Sequence, residues 1–216
     1  MIRLGREALV LAALLALTAG FVDAVGFLQL GGFFLSFMSG NTTRLGVALG
    51  SGLWVSAGFA ALLIGLFVVG VVVASLIPEP APWRRSALLV GVAALLGLAA
   101  VFSDQSSWLA AGFAAAAMGA LNIVFERDGD IAFGVTYMTG GLARMGIRIA
   151  SMIKGGPRWA FVPYLLLWLA MACGAILGCI TQALLAGAAF WIAAGVCTGL
   201  AGLAGLLSSR DRAAQR

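Results

Sequence analysis

The chain has 216 residues, of which 62% are apolar and only 10% are charged. Soluble globular domains carry roughly a quarter of charged residues, so this composition excludes them and indicates an all-α polytopic membrane protein. The net charge of +5 is not gathered into a basic stripe, and we expect no nucleic-acid partner. With no histidine and with three cysteines in apolar stretches, the sequence predicts no metal site, no disulfide and no cofactor.

Six apolar stretches have the length of about 20 residues that crosses a hydrocarbon core of roughly 30 Å. They cover about 7–29, 52–77, 86–102, 107–125, 160–183 and 187–207. The first follows two arginines and has some features of a signal peptide, but it has a counterpart in the second half of the chain. We therefore interpret it as the first membrane helix of a single transmembrane domain over residues 1–216.

A ten-residue motif, FMSGNTTRLG at 37–46, returns one hundred positions later as YMTGGLARMG at 137–146. One copy follows the first span and the other follows the fourth. The halves at about 7–102 and 107–207 thus both have the order helix, motif, helix, helix. Three spans per half is an odd number, so the second half must enter the membrane from the opposite side. The sequence predicts two inverted three-helix repeats.

The motif segments are apolar enough to enter the bilayer, but their glycines are unsuited to an uninterrupted spanning helix. If residues 31–50 and 131–151 both crossed fully, the protein would have eight spans and parallel repeats. Irregular backbone is tolerated at membrane depth where it is buried in protein or lines a cavity. We therefore predict a re-entrant or broken helix in each half, which carries the pattern M-S/T-G followed by R-x-G.

The loop charges predict the orientation. With the N-terminus in the cytoplasm, twelve of the thirteen basic residues fall on the inner side and only Arg44 falls outside, as the positive-inside rule requires. The twelve are Arg3, Arg6, Arg84, Arg85, Arg127, Arg144, Arg148, Lys154, Arg158, Arg210, Arg212 and Arg216. Both termini are thus expected in the cytoplasm.

Small residues four apart lie on two of the predicted spans, Gly70 and Ala74 on the second and Gly174 and Gly178 on the fifth. Such faces let helix backbones approach closely. We expect these equivalent helices to pack together through them. A homo-oligomer formed through the same faces is the alternative.

Asp23 lies inside the first apolar span, where an ionised carboxylate costs about 2.5 to 3.5 kcal/mol on insertion scales. Either it is hydrated near the outer interface, or it faces the bundle interior and there pairs with Arg44 or binds a coupling proton or cation. Its counterpart is Asn122, which keeps the shape without the charge. A charge-coupled step would therefore be confined to one half.

If the first motif copy begins a short helix at Ser39, its free N–H groups and positive dipole end favour an anion or a carbonyl-rich solute. Two inverted copies would bring two such ends together, as in transporters with discontinuous helices. Alternatively, the motif only caps a helix, and Arg44 and Arg144 extend to lipid headgroups. The candidate substrate-binding residues are Asp23, Ser39, Gly40, Asn41, Thr42, Thr43, Arg44, Asn122, Thr139, Gly140 and Arg144.

Two long stretches carry a resemblance to a known family. GFVDAVGFLQLGGFFLSFMSGNTTRLG at 20–46, followed by MGALNIVFERDGDIAFGVTYMTGGLARMG at 118–146, resembles the YoaK-like family of bacterial integral membrane proteins, a domain of unknown function. The resemblance implies a location in the bacterial inner membrane and transport of a small-molecule metabolite. The family often has a hydroxyl residue where this chain has Gly141, a departure in the second motif copy.

The sequence contains no P-loop, zinc-protease motif or evident pair of nucleophile and base, so we do not expect an enzyme. We expect a secondary transporter or facilitator of a small metabolite, with an anion favoured and a site near the midplane between the repeats. An anion channel and a non-transporting membrane scaffold are the alternatives, and a dry centre with Asp23 paired to Arg44 would favour the scaffold. The expected partners are the lipid bilayer and a small solute with a coupling proton or cation.

Overall fold

The computed structural model describes residues 6–78, 83–127, 130–131 and 136–214, with side chains described for 8–78, 83–125 and 136–206. The α-helices among these residues are α1 (Arg6–Gln29), α2 (Met38–Gly50), α3 (Trp54–Ser75), α4 (Arg84–Phe102), α5 (Ser107–Asn122), α6 (Met138–Ile153), α7 (Val162–Leu184) and α8 (Ala189–Ala214). Two 3₁₀ turns, Ile123–Phe125 and Ala186–Ala188, and an antiparallel pair of two-residue strands, β1 (Glu126–Arg127) with β2 (Asp130–Ile131), complete the described elements.

Six of these helices are long and apolar enough to cross a membrane: α1, α3, α4, α5 with its 3₁₀ turn, α7 and α8. The predicted spans are confirmed to within a few residues, and so is the prediction of an all-α membrane protein, apart from the short strand pair. The motif helices are shorter, with 13 residues in α2 and 16 in α6. At 1.5 Å per residue they extend about 20 and about 24 Å, less than the hydrocarbon core.

Glycines end three of these helices. Gly31 and Gly32 follow α1 with φ of 64° and 93°, Gly52 follows α2 with φ of 70°, and Gly155 follows α6 with φ of 85°. Only glycine adopts these left-handed conformations without steric cost. The chain can therefore turn sharply at both ends of the first motif segment and at the end of the second.

The helices α1 and α7 run parallel, because Gly174 and Gly178 of α7 face the carbonyl groups of Leu17 and Phe21 of α1 in the same order, and they cross closely. A Cβ on Gly20 would overlap the carbonyl group of Met171, and a Cβ on Gly174 would overlap the carbonyl group of Leu17. Each glycine thus faces the residue that lies three positions before the other glycine. Glycine is needed at both positions because backbone atoms of the partner helix occupy the space of a side chain.

The crossing of α3 and α5 repeats this arrangement. A Cβ on Gly119 would overlap the carbonyl group of Phe67, and a Cβ on Gly70 would overlap that of Ala116. The spacing of three residues is the same as between α1 and α7. Near the start of both helices, the ring centroids of Phe59 and Trp108 lie 4.6 Å apart, so α3 and α5 are also parallel.

The expected packing of the second span on the fifth is wrong, because the small faces are covered by other helices. The Gly70 and Ala74 face is buried on α3, which packs against α5, and the Gly174 and Gly178 face is buried on α7, which packs against α1. Both faces are occupied within one chain.

The helix directions decide whether the motif helices cross the bundle. Antiparallel packing of α4 and α8 is shown by two contacts: the Ser86 hydroxyl donates to the Ala201 carbonyl over 2.6 Å, and Gly97 faces the Trp191 ring. Short connections at 103–106 and 185–188 reverse the direction between α4 and α5 and between α7 and α8.

These relations make α1 antiparallel to α3, and α5 antiparallel to α7. If α2 crossed the bundle between α1 and α3, those two helices would be parallel, and the same holds for α6 between α5 and α7. The helix directions therefore favour six spans over the eight-span alternative, in agreement with the six helices that are long and apolar enough to cross. That each motif helix enters and leaves on one side stays a prediction.

Candidate functional site

The polar residues of the first motif copy hold the connecting loop at residues 30–37, between α1 and α2. Buried backbone groups need hydrogen-bond partners, and this loop has no regular secondary structure to supply them. Side chains from both flanking helices take that role. Asp23 comes from α1, and Asn41 and Arg44 come from α2.

The Asp23 carboxylate is buried, with 6% of the residue exposed. Its Oδ1 atom accepts from the N–H groups of Leu35 at 2.8 Å and Ser36 at 2.6 Å, and Oδ2 accepts from the Ser36 hydroxyl at 2.6 Å. The interior placement is confirmed, and the alternative of a hydrated interfacial carboxylate is wrong. All three donors are neutral, so they orient the carboxylate without matching its charge.

Arg44 binds the other end of the same loop. Its Nη1 atom donates to the Gly32 carbonyl at 2.8 Å and Nη2 donates to the Gly31 carbonyl at 3.0 Å, while the guanidinium lies 4.1 Å from the centre of the Phe33 ring. The predicted pairing of Asp23 with Arg44 is wrong. The left-handed glycines present carbonyl groups, which attract the cation, whereas the N–H groups further along the loop attract the anion.

Asn41 is fully buried and binds one residue of the loop through both ends of its amide. Its Oδ1 accepts from the Phe34 N–H at 3.0 Å, and its Nδ2 donates to the Phe34 carbonyl at 2.7 Å. Both hydrogen-bonding groups of the side chain are therefore used inside the protein. Asn41 positions Phe34 and is not free to bind a solute.

The second copy repeats the Asp23 arrangement without the charge. The Asn122 side chain, 5% exposed, accepts at Oδ1 from the Thr136 hydroxyl at 2.9 Å and from the Thr136 N–H at 3.4 Å, and it donates to the Met118 carbonyl. Thr136 lies one hundred positions after Ser36, which is the partner of Asp23. Ser36 and Thr136 are not among the predicted residues, although the shared hydroxyl directly before Phe37 and Tyr137 extends the repeat to them.

The motif glycines leave room for aromatic rings. A Cβ on Gly40 would lie 2.6 Å from Cδ1 of Phe37, and a Cβ on Gly140 would overlap the Tyr137 ring. In each copy the aromatic residue before the helix folds over the first helical turn. Gly40 and Gly140 are therefore packing residues.

The other predicted binding residues lie on exposed faces. Ser39, Thr42, Thr43, Thr139 and Arg144 are all exposed. The hydroxyls of Thr42 and Thr43 donate to carbonyl groups four residues earlier in α2, which satisfies them in an apolar environment. The structure does not bring these five side chains together with Asp23.

The start of α2 is not a free anion site. The Met38 N–H donates to the Ser36 carbonyl at 3.1 Å, and the N–H groups of Gly40 and Asn41 donate to the Phe37 carbonyl at 3.1 and 3.3 Å. The first turn of a helix attracts anions through unpaired N–H groups, and here several of them are paired within the chain.

A cleft of about 530 Å³ lies where α1 and α7 meet the first connecting loop and the start of α6, and we call it the α1–α7 cleft. It is lined by Gly20, Asp23, Ala24, Phe27, Leu28, Phe34, Phe37, Thr136, Met138, Met171, Ala175 and Cys179. Parts of both motif copies therefore reach one cleft. Of the predicted binding residues only Asp23 is among its lining residues, and the described part of the chain contributes no Lys or Arg to the lining.

The fold and the cleft define a multi-pass α-helical membrane protein with a small-molecule-sized cleft beside a buried carboxylate. Residues 11–203 match the family described as protein of unknown function (DUF1275), so the chain belongs to this family. The resemblance to the YoaK-like family is thus confirmed.

Two relatives carry the name of a transmembrane protein. The chain is 36% identical over 184 residues to UPF0700 transmembrane protein RA0705 of Rhizobium meliloti (strain 1021). The aligned residues cover 85% of this chain and 80% of that protein. It is 47% identical over 68 residues to UPF0700 transmembrane protein YoaK of Bacillus subtilis (strain 168), covering 31% of this chain and 29% of that protein. No solved structure matches the chain.

Proposed function

We propose that the protein is a secondary transporter or facilitator and that its solute binds in the α1–α7 cleft. The observation that carries this proposal is the meeting of both motif copies in one cleft, through Phe37 of the first and Met138 of the second, with Phe34 and Thr136 from the residues just before them. The volume of about 530 Å³ lies within the range of small-molecule sites, roughly 300 to 1,000 Å³. A filled helical bundle that acted only as a scaffold would not need such a space.

The two halves act in this proposal as inverted repeats. Three observations support it: α1, α3 and α4 run opposite to their counterparts α5, α7 and α8, the glycine crossing of α1 with α7 recurs between α3 and α5, and the Asp23–Ser36 contact recurs as Asn122–Thr136. Inverted repeats are the common architecture of transporters that alternate access around one site. The motif helices α2 and α6 are then re-entrant helices whose starts line that site.

The apolar lining of the cleft favours a different solute from the anion that the sequence favours. An anion would need cationic or free N–H groups, but Arg44 is bound to loop carbonyls and N–H groups at the start of α2 are paired. Aromatic and aliphatic side chains dominate the cleft instead. The favoured solute therefore has a largely apolar surface, and neither an anionic metabolite nor an anion channel is favoured.

The charge-bearing half of the site is the first. Asp23 lies beside the cleft with its carboxylate bound to the loop, and the equivalent Asn122 carries no charge. We place any coupling to a proton or cation at Asp23. The protein acts in the bacterial inner membrane with both termini in the cytoplasm, as the loop charges favour.

Uptake into proteoliposomes tests the site. Ala175→Phe would fill the cleft from α7, whereas Ile176→Phe places the same side chain at the next position, which is 60% exposed. Across a panel of apolar and amphipathic solutes, we expect Ala175→Phe to reduce uptake about tenfold or more and Ile176→Phe to leave it near the wild-type rate. Uptake that the two variants change equally would contradict the assignment of the cleft.

A further inference from the structure

We propose that α6 and the connection after it form a cationic surface that binds anionic phospholipids through their headgroups, at the side of the membrane where α6 ends. We call it the α6 surface, and its basic residues are Arg144, Arg148, Lys154 and Arg158. None of these four residues lines the α1–α7 cleft, so the inference is independent of the proposed function of the cleft.

The first step of the argument is the incomplete packing of α6. None of its 16 residues is buried, whereas the corresponding helix α2 buries Asn41 and Ala48. The apolar side chains of α6 nevertheless follow one helix face, with the spacing i, i+4, i+7, i+11 and i+14: Met138, Leu142, Met145, Ile149 and Met152. A helix that has an apolar face and basic residues on another face is typical of the membrane interface.

The second step is the charge of this surface. Arg144 and Arg148 lie four residues apart, on a face of α6 separate from the apolar one. The Arg144 side chain is exposed, and no residue that the structure describes gives it a hydrogen bond, an ion pair or a ring contact. Its counterpart Arg44 is instead bound to loop carbonyl groups. Residues 136–206 contain four basic residues and no Asp or Glu, so an anion from the surroundings would balance this charge.

The third step is the connection between α6 and α7, which brings two more cations next to a membrane span. The Gly156 N–H donates to the Ser151 carbonyl at 2.9 Å, so the connection closes back on the last turn of α6. Lys154 and Arg158 are exposed and lie within eight residues of Val162, where the span α7 begins. Basic residues directly beside a span are attracted to anionic lipid headgroups.

The fourth step is the apolar surface beside these cations. Trp159 is 64% exposed, and the Arg158 guanidinium lies 5.2 Å from the centre of its ring. Ile153, the last residue of α6, is 77% exposed. Tryptophan is enriched at the level of the headgroups, where one part of the side chain meets apolar chains. A phospholipid offers both a phosphate and acyl chains to such a surface, whereas a soluble anion offers the charge alone.

Two phospholipids with identical acyl chains separate the headgroup from the rest of the lipid. Phosphatidylglycerol has a net negative charge, and phosphatidylcholine is zwitterionic. We would titrate each lipid into the full chain in detergent micelles and measure the bound lipid by native mass spectrometry. We expect phosphatidylglycerol to bind about tenfold or more tightly than phosphatidylcholine. Equal affinities for the two lipids would overturn the inference.

Single substitutions locate the binding on the α6 surface. Arg144→Gln and Arg158→Gln should each lower the affinity for phosphatidylglycerol about fivefold and leave that for phosphatidylcholine unchanged. Arg144→Lys keeps the charge and should retain most of the affinity. Arg85→Gln removes the same charge from an exposed position on α4 and is the matched control. An equal loss in Arg85→Gln would show that the overall charge of the protein binds the lipid, and the α6 surface would not be its site.

A soluble headgroup distinguishes a lipid from a free phosphate ester. Glycerophosphoglycerol is phosphatidylglycerol without its acyl chains, and we expect it not to displace the lipid at equal concentration. If it competes as well as the lipid itself, the α6 surface binds soluble phosphate esters and the lipid inference is overturned. If Arg144→Gln does not fold, the comparison of the two lipids and Arg158→Gln still decide the inference.

Discussion

Asp23 and Arg44 carry opposite charges, belong to the same half of the chain and bind the same loop, yet they bind opposite ends of it. Their partners are backbone groups of the matching polarity: N–H groups for the carboxylate and carbonyl groups for the guanidinium. The loop therefore keeps the two charges apart, and Asp23 and Arg44 each hold one end of it. At the residue scale, these side chains fix the loop that carries Phe34 and Phe37, two residues of the cleft lining.

The side-chain hydrogen bonds to the loop at residues 30–37 predict which motif residues matter for stability. Asn41→Ala would leave the Phe34 N–H and carbonyl groups buried without their partners, at a cost of about 1–3 kcal/mol for each unsatisfied group. Thr42→Ala removes a hydroxyl that bonds only its own helix on an exposed face and should change stability by less than about 0.5 kcal/mol. Denaturant unfolding in mixed micelles would compare the two. Equal losses would show that Asn41 does not carry the loop.

The residues of the motif could be found from the sequence, but their partners could not. The return of the motif one hundred positions later marks Gly40 and Arg44 as positions with a shared role, and the match of Asp23 with Asn122 marks Asp23. Whether an arginine faces a carboxylate or a pair of glycine carbonyls depends on the path of an eight-residue loop. Composition and spacing do not determine that path, so the sequence assigned to solute binding several residues that hold the protein together.

At the element scale, the fold is held by two glycine crossings, α1 with α7 and α3 with α5. In a bilayer, helices gain little from burying apolar surface against one another, so close backbone approach supplies much of the packing. The first crossing forms one side of the cleft, because Gly20 lies at the crossing and also lines the cleft. The close crossing of α1 with α7 and the wall of the cleft thus depend on the same small residue, Gly20.

The crossings predict a position-specific effect on α3. Gly70→Val would drive a side chain into the Ala116 carbonyl and should destabilise the protein by about 1–3 kcal/mol or more. Gly65→Val on the same helix points into open space on an exposed face and should change stability by less than about 0.5 kcal/mol. Thermal unfolding of both variants in the same detergent provides the measurement. Similar midpoints for the two would argue against the close crossing.

The elements themselves were predictable, because the length of each apolar stretch determines where a membrane helix can begin and end. The partners of the helices were not. The matched faces at Gly70 and Gly174 led to an expected contact between the second and fifth spans. Instead, the Gly70 face packs against α5, which carries Gly119 at the crossing. The Gly174 face packs against α1, which carries Gly20. Small-residue spacing identifies a close contact but does not identify the helix across it.

At the scale of the whole molecule, the helix directions favour six crossings, although eight helices are present in the described residues. In that topology each motif helix returns the chain to the side from which it came. The same number of crossings follows from the loop charges, which reach it without any contact between helices. Two independent physical arguments therefore favour the same topology, one from packing and one from charge.

Labelling of single cysteines can test this topology, after the native Cys173, Cys179 and Cys197 are replaced by alanine. With six crossings and a cytoplasmic N-terminus, Ser51→Cys after α2 and Gln105→Cys between α4 and α5 face the outside. A membrane-impermeant maleimide should then label both in intact spheroplasts, whereas eight crossings would place both inside and protect them.

Lys154→Cys, at the end of α6, is the internal control, since both topologies place it in the cytoplasm. It should react only after permeabilisation. Labelling of Lys154→Cys in intact cells would contradict the N-in orientation. Protection of both Ser51→Cys and Gln105→Cys, with Lys154→Cys also protected, would mean that the motif helices cross. The repeats would then be parallel, and the two motif copies could not meet in the α1–α7 cleft as inverted elements of one site.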